Sequence, residues 1–327
     1  MRGCRLLIPD IAFIVISDAG LRRGRHLVVQ NDLWSIGETM KRHTGLTYKI
    51  FYRDEMDINV INKSKILIAG NAGIVNFGGI QSEFVKKSLE VINKFDGPVV
   101  FFNCDVKGGF KNDKRDSFVK IERPVYYADP KGIHDPSKSQ FEIIEDLVID
   151  NAFEIGRTLL DHKFPTVKPQ YDLVEGGSAR TAYIKQLKKI VSMFDGNVLL
   201  YDKIAEKVDN VIKLKKKRTF RNYELSIVDS FGKYSLMMYE AKKDYFYPRV
   251  FEQMFSNSIV LFDKRLKQYQ CFMDDTNTYS SLEELVEMLN QPYDLDRVEE
   301  QHKKLLEFDF DGREQITVNN IMRIINQ

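Results

Sequence analysis

The chemistry available to this chain is concentrated in a few short stretches. Asp105 closes the run Phe101-Phe102-Asn103-Cys104-Asp105. A carboxylate just after a buried strand, facing a cleft, is placed to act as a general base, and burial there raises its pKa. Taken by itself, the residue is more often a loop or helix-capping Asp. Gly176-Gly177-Ser178-Ala179-Arg180 follows an apolar run and precedes a helical pattern from Thr181. Paired glycines admit close backbone approach. The helix N-terminus behind them offers unpaired N–H groups to a phosphate, and Arg180 adds a bidentate donor. The alternative is a plain strand-to-helix turn with Ser178 near the cap. Arg249 and Glu252 lie three residues apart behind Pro248, which suits a first helical turn, so they share a helix face. The pair fits a pyrophosphate and the two hydroxyls of a ribose, or else a surface ion pair worth little. Asn76-Phe77-Gly78-Gly79 reads as a further close-approach loop or as a flexible turn.

Charge is nearly balanced, with 49 Lys+Arg against 47 Asp+Glu and a net charge of +2, so only its distribution informs. Lys107, Lys111, Lys114 and Arg115 surround Gly108-Gly109; Lys213, Lys215, Lys216, Lys217, Arg218 and Arg221 form a second run; Arg22, Arg23 and Arg25 a third. Such clusters suit a polyanion or a solvated face. Cys4, Cys104 and Cys271 are far apart, with no CxxC pair. That argues against a disulfide framework or structural zinc and for a reducing compartment. The metalloprotease, serine-hydrolase, Walker and EF-hand patterns are absent, and the five His residues lack metal-ligand spacing.

These residues need elements to hold them. Short apolar runs at Ile11–Ser17, Lys65–Ala69, Val99–Asn103, Tyr171–Glu175, Val198–Tyr201, Leu236–Tyr239 and Ser258–Phe262 predict buried parallel strands. Helical spacing at Asn31–His43, Gln81–Phe95, Thr181–Phe194, Tyr247–Phe255 and Val318–Ile325 places helices between and after them. The alternation stops after Asn103, where Pro124, Pro130, Pro136 and Pro165 fall, and resumes at Tyr171. The expectation is an α/β chain with two Rossmann-like doubly wound domains facing a cleft. The first covers 1–165, the second 166–316, and a helix over 317–327 crosses back. Arg2 and Arg5 ahead of apolar residues imitate a signal peptide, but Pro9 and Asp10 interrupt the run and favour a strand. No stretch approaches the roughly 20 apolar residues of a spanning helix, so no membrane partner is expected.

Asn76-Phe77-Gly78-Gly79, Phe102-Asn103-Cys104-Asp105-Val106-Lys107, Gly176-Gly177-Ser178-Ala179-Arg180 and Arg249-Val250-Phe251-Glu252-Gln253-Met254 occur in order and at matching spacing over about Ile11 to Phe262. In this the chain resembles the phage DNA β-glucosyltransferase family. The resemblance implies a glycosyltransferase B fold and an inverting transfer of sugar from a UDP-sugar, glucose or a pentose such as arabinose. The acceptor it implies is the hydroxyl of a hydroxymethylated pyrimidine in double-stranded phage DNA, within an infected bacterial host's cytoplasm. A small-molecule, lipid or protein acceptor is the alternative. It implies Asp105 as the base, Gly177, Ser178, Arg180 and Arg249 at the diphosphate, and Glu252 at the ribose. Lys107, Lys111, Lys114 and Arg115 would meet DNA. The family's second loop-helix arginine falls near Ile184–Lys185, which leaves Lys185. A family glutamate falls at Asp32, assigned with Asn76 and Gly78 to sugar and acceptor. Glu240 or Asp244 would hold Mg or Mn.

Overall fold

Strand β1 (Ile11–Ile16) is buried along its whole length, as an unbroken apolar run must be in a parallel sheet covered on both faces. The computed structural model describes residues 8–16, 26–52, 55–71, 83–103, 121–130, 141–176, 181–214, 222–239 and 246–327. The side chains of 26–31, 71, 83–85, 202 and 222 are excepted. The chain divides into two compact units, Met1–Glu154 with Phe310–Gln327, and Ile155–Asp309.

In the first unit β1 is followed by α1 (His26–Thr44), β2 (Tyr48–Phe51), α2 (Ile58–Ile61), β3 (Ile66–Asn71), α3 (Glu83–Lys94), β4 (Val99–Asn103), β5 (Val125–Asp129) and β6 (Ile143–Val148). All pairings are parallel, in the order β2-β1-β3-β4-β5-β6. One face packs Leu89, Val91 and Ile92 of α3 against Ala12, Leu67 and Phe101. The other packs Leu33, Ile36 and Met40 of α1 against Phe13 and Ile68. The last helix, α10 (Phe310–Ile325), lays Val318, Ile321 and Ile324 into that second face.

The second unit begins within α4 (Phe153–Leu160). It continues with β7 (Tyr171–Gly176), α5 (Thr181–Met193), β8 (Val198–Tyr201), β9 (Ile212–Leu214), α6 (Asn222–Asp229), β10 (Gly232–Met237), α7 (Pro248–Phe255), β11 (Ile259–Asp263), β12 (Thr278–Tyr279), α8 (Leu282–Leu289) and α9 (Leu295–Leu306). Its sheet is parallel, in the order β12-β11-β10-β7-β8-β9. The chain therefore builds outward from β7 on one side, then restarts at β10 on the other. The junction of β7 with β10 is a topological switch point, where open α/β sheets leave a crevice at their strand ends.

The structure corrects several sequence expectations. The proline-containing break holds two strands: Pro124 and Pro130 bracket β5 without interrupting its ladder, and β6 is an edge strand whose Glu145 and Asp146 hide its apolar signal. β10 starts at Gly232, ahead of the expected Leu236, because Lys233 and Ser235 dilute its apolar pattern. α1 begins at His26, so Asp32 lies inside the helix and does not open it. β2, β9 and β12 are short edge or near-edge strands with little periodicity to read.

Candidate functional site

Pro248 occupies the first turn of α7, as its missing N–H and fixed φ favour. Val250, Phe251, Met254 and Phe255 drive the helix into the core and bury Glu252 with it. Arg249 is thereby held low on the helix, with 18% of its side chain exposed. Its Nη1 donates to Asp229 Oδ2 at 2.5 Å and its Nη2 to Asp229 Oδ1 at 2.6 Å. Nη1 also lies 3.5 Å from Glu252 Oε2. The guanidinium stands 5.4 Å from the ring centroid of Tyr201, whose hydroxyl donates to Asp229 Oδ1 at 3.0 Å. Burial pulls against the charge, but Asp229 and its neighbours outweigh it and hold the Arg249 pKa well above its ordinary value. Arg249 Nε has no hydrogen-bond partner among the described residues. A buried donor left this way costs about 1–3 kcal/mol and invites an acceptor.

Glu175 is the second centre. It stands near the end of β7, 1% exposed. Its Oε1 accepts from the Gly176 amide at 2.9 Å and its Oε2 from the Leu236 amide at 3.0 Å, so one carboxyl bridges the switch point between β7 and β10. Tyr183 of α5 hydrogen-bonds it as well. Burial pushes the Glu175 carboxyl up to about 7 against the pull of Arg249, and Asp229 adds to the rise. Gly176 beside it has no room for a side chain: a Cβ there would stand 2.0 Å from Tyr201 Cζ. The first glycine of the pair thus serves packing against Tyr201.

Of the sequence-predicted residues, the structure gathers Arg249 and Glu252 into one cluster. Lys185 is exposed on α5, outside the hydrogen bonds and ion pairs of that cluster. Asp32 is 7% exposed within α1 of the first unit. Asp105, Gly177, Ser178, Arg180, Asn76, Gly78, Lys107, Lys111, Lys114, Arg115, Glu240 and Asp244 lie outside the described residues. Sequence reasoning missed Glu175, Asp229, Tyr183 and Tyr201. A carboxylate inside the buried run Leu173-Val174-Glu175 was a readable signal, because an acid there needs partners. Asp229 carried none, since its partner is 20 residues away.

Among the described residues, His43, Asp311 and Glu314 bring potential ligand atoms within 4.8 Å of one another, in the first unit. Glu314 Oε2 already pairs with His43 Nε2 at 2.8 Å and with Arg42 Nη1 at 3.3 Å, and Arg42 also binds Glu154. That set reads as an ion-pair cluster tying α1 to α10. It does not fit a divalent ion, whose charge the Arg42 guanidinium would oppose.

The two doubly wound parallel sheets, each with helices interleaved between its strands, define the glycosyltransferase B fold. Solved structures match the chain over nearly its full length. T4 phage β-glucosyltransferase in complex with UDP and Mn2+ is 16% identical, with a TM-score of 0.68 over 97% of this chain and 99% of that one. The DNA-modifying enzyme β-glucosyltransferase, solved with and without uridine diphosphoglucose, gives 15% and 0.70 over the same shares. An α-glucosyltransferase in complex with UDP and a 13-mer DNA containing an HMU base gives 9% and 0.58, again over 97% and 99%. No protein-family model and no curated protein matches the chain.

Proposed function

We propose that this chain is an inverting glycosyltransferase that moves a sugar from a UDP-sugar to the hydroxyl of a hydroxymethylated pyrimidine in double-stranded DNA. The observation that carries the reading is the Arg249–Glu252 pair, expected from its spacing and gathered at one buried cluster, in a fold shared end to end with DNA glucosyltransferases. Arg249 Nε is the donor left over for a diphosphate oxygen, and Glu252 supplies a carboxylate for the ribose hydroxyls. Asp105, two residues beyond the end of β4 in sequence, is the proposed base. It takes the proton from the acceptor hydroxyl as that oxygen bonds to the anomeric carbon. The bond from that carbon to the diphosphate oxygen breaks, and UDP leaves with its charge held by Arg249. A single displacement inverts the anomeric centre. The target base must leave the duplex stack to be reached. Lys107, Lys111, Lys114 and Arg115 are the proposed phosphate contacts. Glu240 and Asp244 remain proposals for Mg or Mn, and no step depends on them.

The test is a transfer assay. The purified chain is incubated with UDP-glucose, then with a UDP-pentose. Each is offered duplex DNA carrying 5-hydroxymethylcytosine, 5-hydroxymethyluracil or neither. UDP release that requires modified DNA, with a matching mass gain on the DNA, is the expected result. UDP release indifferent to DNA favours a small acceptor and overturns the DNA assignment. Asp105→Asn should retain nucleotide binding but transfer about a hundredfold or more slowly.

A further inference from the structure

Glu175 has no task in the reaction above, yet it occupies the switch point of the nucleotide-binding unit. The groups that face it come from several elements. Arg249 lies on α7, Asp229 on α6, Tyr183 on α5 and Tyr201 on β8. Tyr279 of β12 also faces it, and beyond that ring Asp263 and Arg265 pair with each other. Among the described residues, three carboxyls, Glu175, Asp229 and Glu252, share one guanidinium within a largely buried cluster. Asp229 takes both terminal nitrogens of Arg249 and the Tyr201 hydroxyl. Among the described residues, the hydrogen bonds Glu175 accepts come from neutral donors, two backbone amides and Tyr183.

A diphosphate arriving at Arg249 adds negative charge to a cluster in which, among the described residues, three carboxyls face one guanidinium. Charges in a buried, low-dielectric site cannot be screened away by salt. The least costly relief is a proton, and it goes to the carboxyl that, among the described residues, has no direct hydrogen bond to the guanidinium. Resting on the nucleotide reading of this site, we infer that binding of a nucleoside diphosphate at Arg249 takes up a proton at Glu175. Glu175 is a positioning residue in this scheme. Protonated, it no longer opposes the bound diphosphate, and it keeps an oxygen on the amides that join β7 to β10. Its position near neutrality, about 7 in the free protein, puts the exchange in the working range of a cell. Donor binding is then tighter at lower pH, through a group that touches neither sugar nor DNA.

The probe is UDP-glucose, whose phosphates are both esterified and do not titrate near neutrality. Calorimetric titration of the full chain in two buffers of different ionisation enthalpy counts the protons exchanged. About half a proton or more should be taken up per nucleotide at about pH 8. Affinity should fall about three- to tenfold between about pH 7 and 8.5. Glu175→Gln should bind with no uptake and with affinity flat across that range. The amide swap disturbs one backbone contact, so Tyr183→Phe provides a second arm. Loss of a hydrogen bond to the charged carboxyl makes Glu175 hold its proton more tightly, and the uptake at about pH 8 should shrink. UDP-glucose binding with no proton uptake, or undiminished uptake in Glu175→Gln, overturns the inference and leaves the nucleotide site standing. Failure of both UDP and UDP-glucose to bind the unaltered chain overturns the nucleotide reading itself.

Discussion

Under the proposed reaction Arg249 answers to two demands, since the guanidinium assigned to the diphosphate is the one that Asp229 holds in the free protein. Asp229 fixes the two terminal nitrogens, and Nε, which has no partner among the described residues, is the donor the proposal gives to the diphosphate. Arginine can serve both because its fork presents donors on two edges, and lysine cannot. Arg249→Ala should weaken UDP binding by about 1.5–3 kcal/mol, the range for a hydrogen bond to a charged group, as read by calorimetry. DNA binding should be unchanged. Asp229→Asn tests the other demand. It keeps the shape and removes the bidentate partner of a largely buried guanidinium, leaving Glu252 at 3.5 Å as a weaker one, so folding stability should fall by up to about 3–5 kcal/mol. Urea unfolding should show a lower midpoint with an unchanged slope. An unaltered midpoint would mean that Asp229 contributes no net stability to the cluster.

The elements place these residues through packing that the sequence shows only in part. Gly176 ends β7 under the ring of Tyr201, so Gly176→Ala must displace the ring that also holds Asp229. A cost of about 1–3 kcal/mol is expected from overpacking, with UDP affinity lowered through Asp229 and Arg249; near-native thermal unfolding of that variant would show that Tyr201 yields freely. Strands covered on both faces, such as β1, β4 and β8, were legible because their whole runs are apolar. Edge strands were not: β6 carries Glu145 and Asp146, and β9 sits in the basic run with Lys213 exposed. The Arg249–Glu252 pair was legible because a helix repeats its face within four residues. Glu175, Asp229 and Tyr201 meet by tertiary contact between strand ends and helices, and no local spacing announces such a meeting. The amphipathic end of α10 was legible, and the face it covers in the first unit follows from Val318, Ile321 and Ile324. Ile321 is fully buried there, and Ile321→Ala should cost about 2–5 kcal/mol in urea unfolding.

At the scale of the whole molecule, two kinds of charge act differently. The buried kind sets stability against pH. Glu175 holds its proton far more tightly folded, at about 7, than at its ordinary 4.5. The folded state therefore binds more protons over that window, and stability falls as pH rises through it and levels off above. The loss attributable to Glu175 is at most about 3 kcal/mol, and Glu175→Gln should remove that share of the slope between about pH 5 and 8, leaving the share of Asp150, which burial also pushes up to about 7. The surface kind would govern the proposed encounter with DNA. A net charge of +2 spread over 327 residues cannot draw a polyanion by itself, so any attraction must come from local clusters. Each lysine or arginine seated on a DNA phosphate releases counterions, and the logarithm of affinity then falls against the logarithm of salt by about 0.9 per contact. Neutralising Lys111, Lys114 and Arg115 together should lower that slope by up to about 2.7, measured by fluorescence anisotropy on a modified duplex. Nucleotide binding, which the proposal assigns to Arg249 of the second unit, should be untouched. A slope that stays the same in the triple variant would move the DNA contact to the second basic run, Lys213 to Arg221, where the same substitutions would then be the ones to lower it.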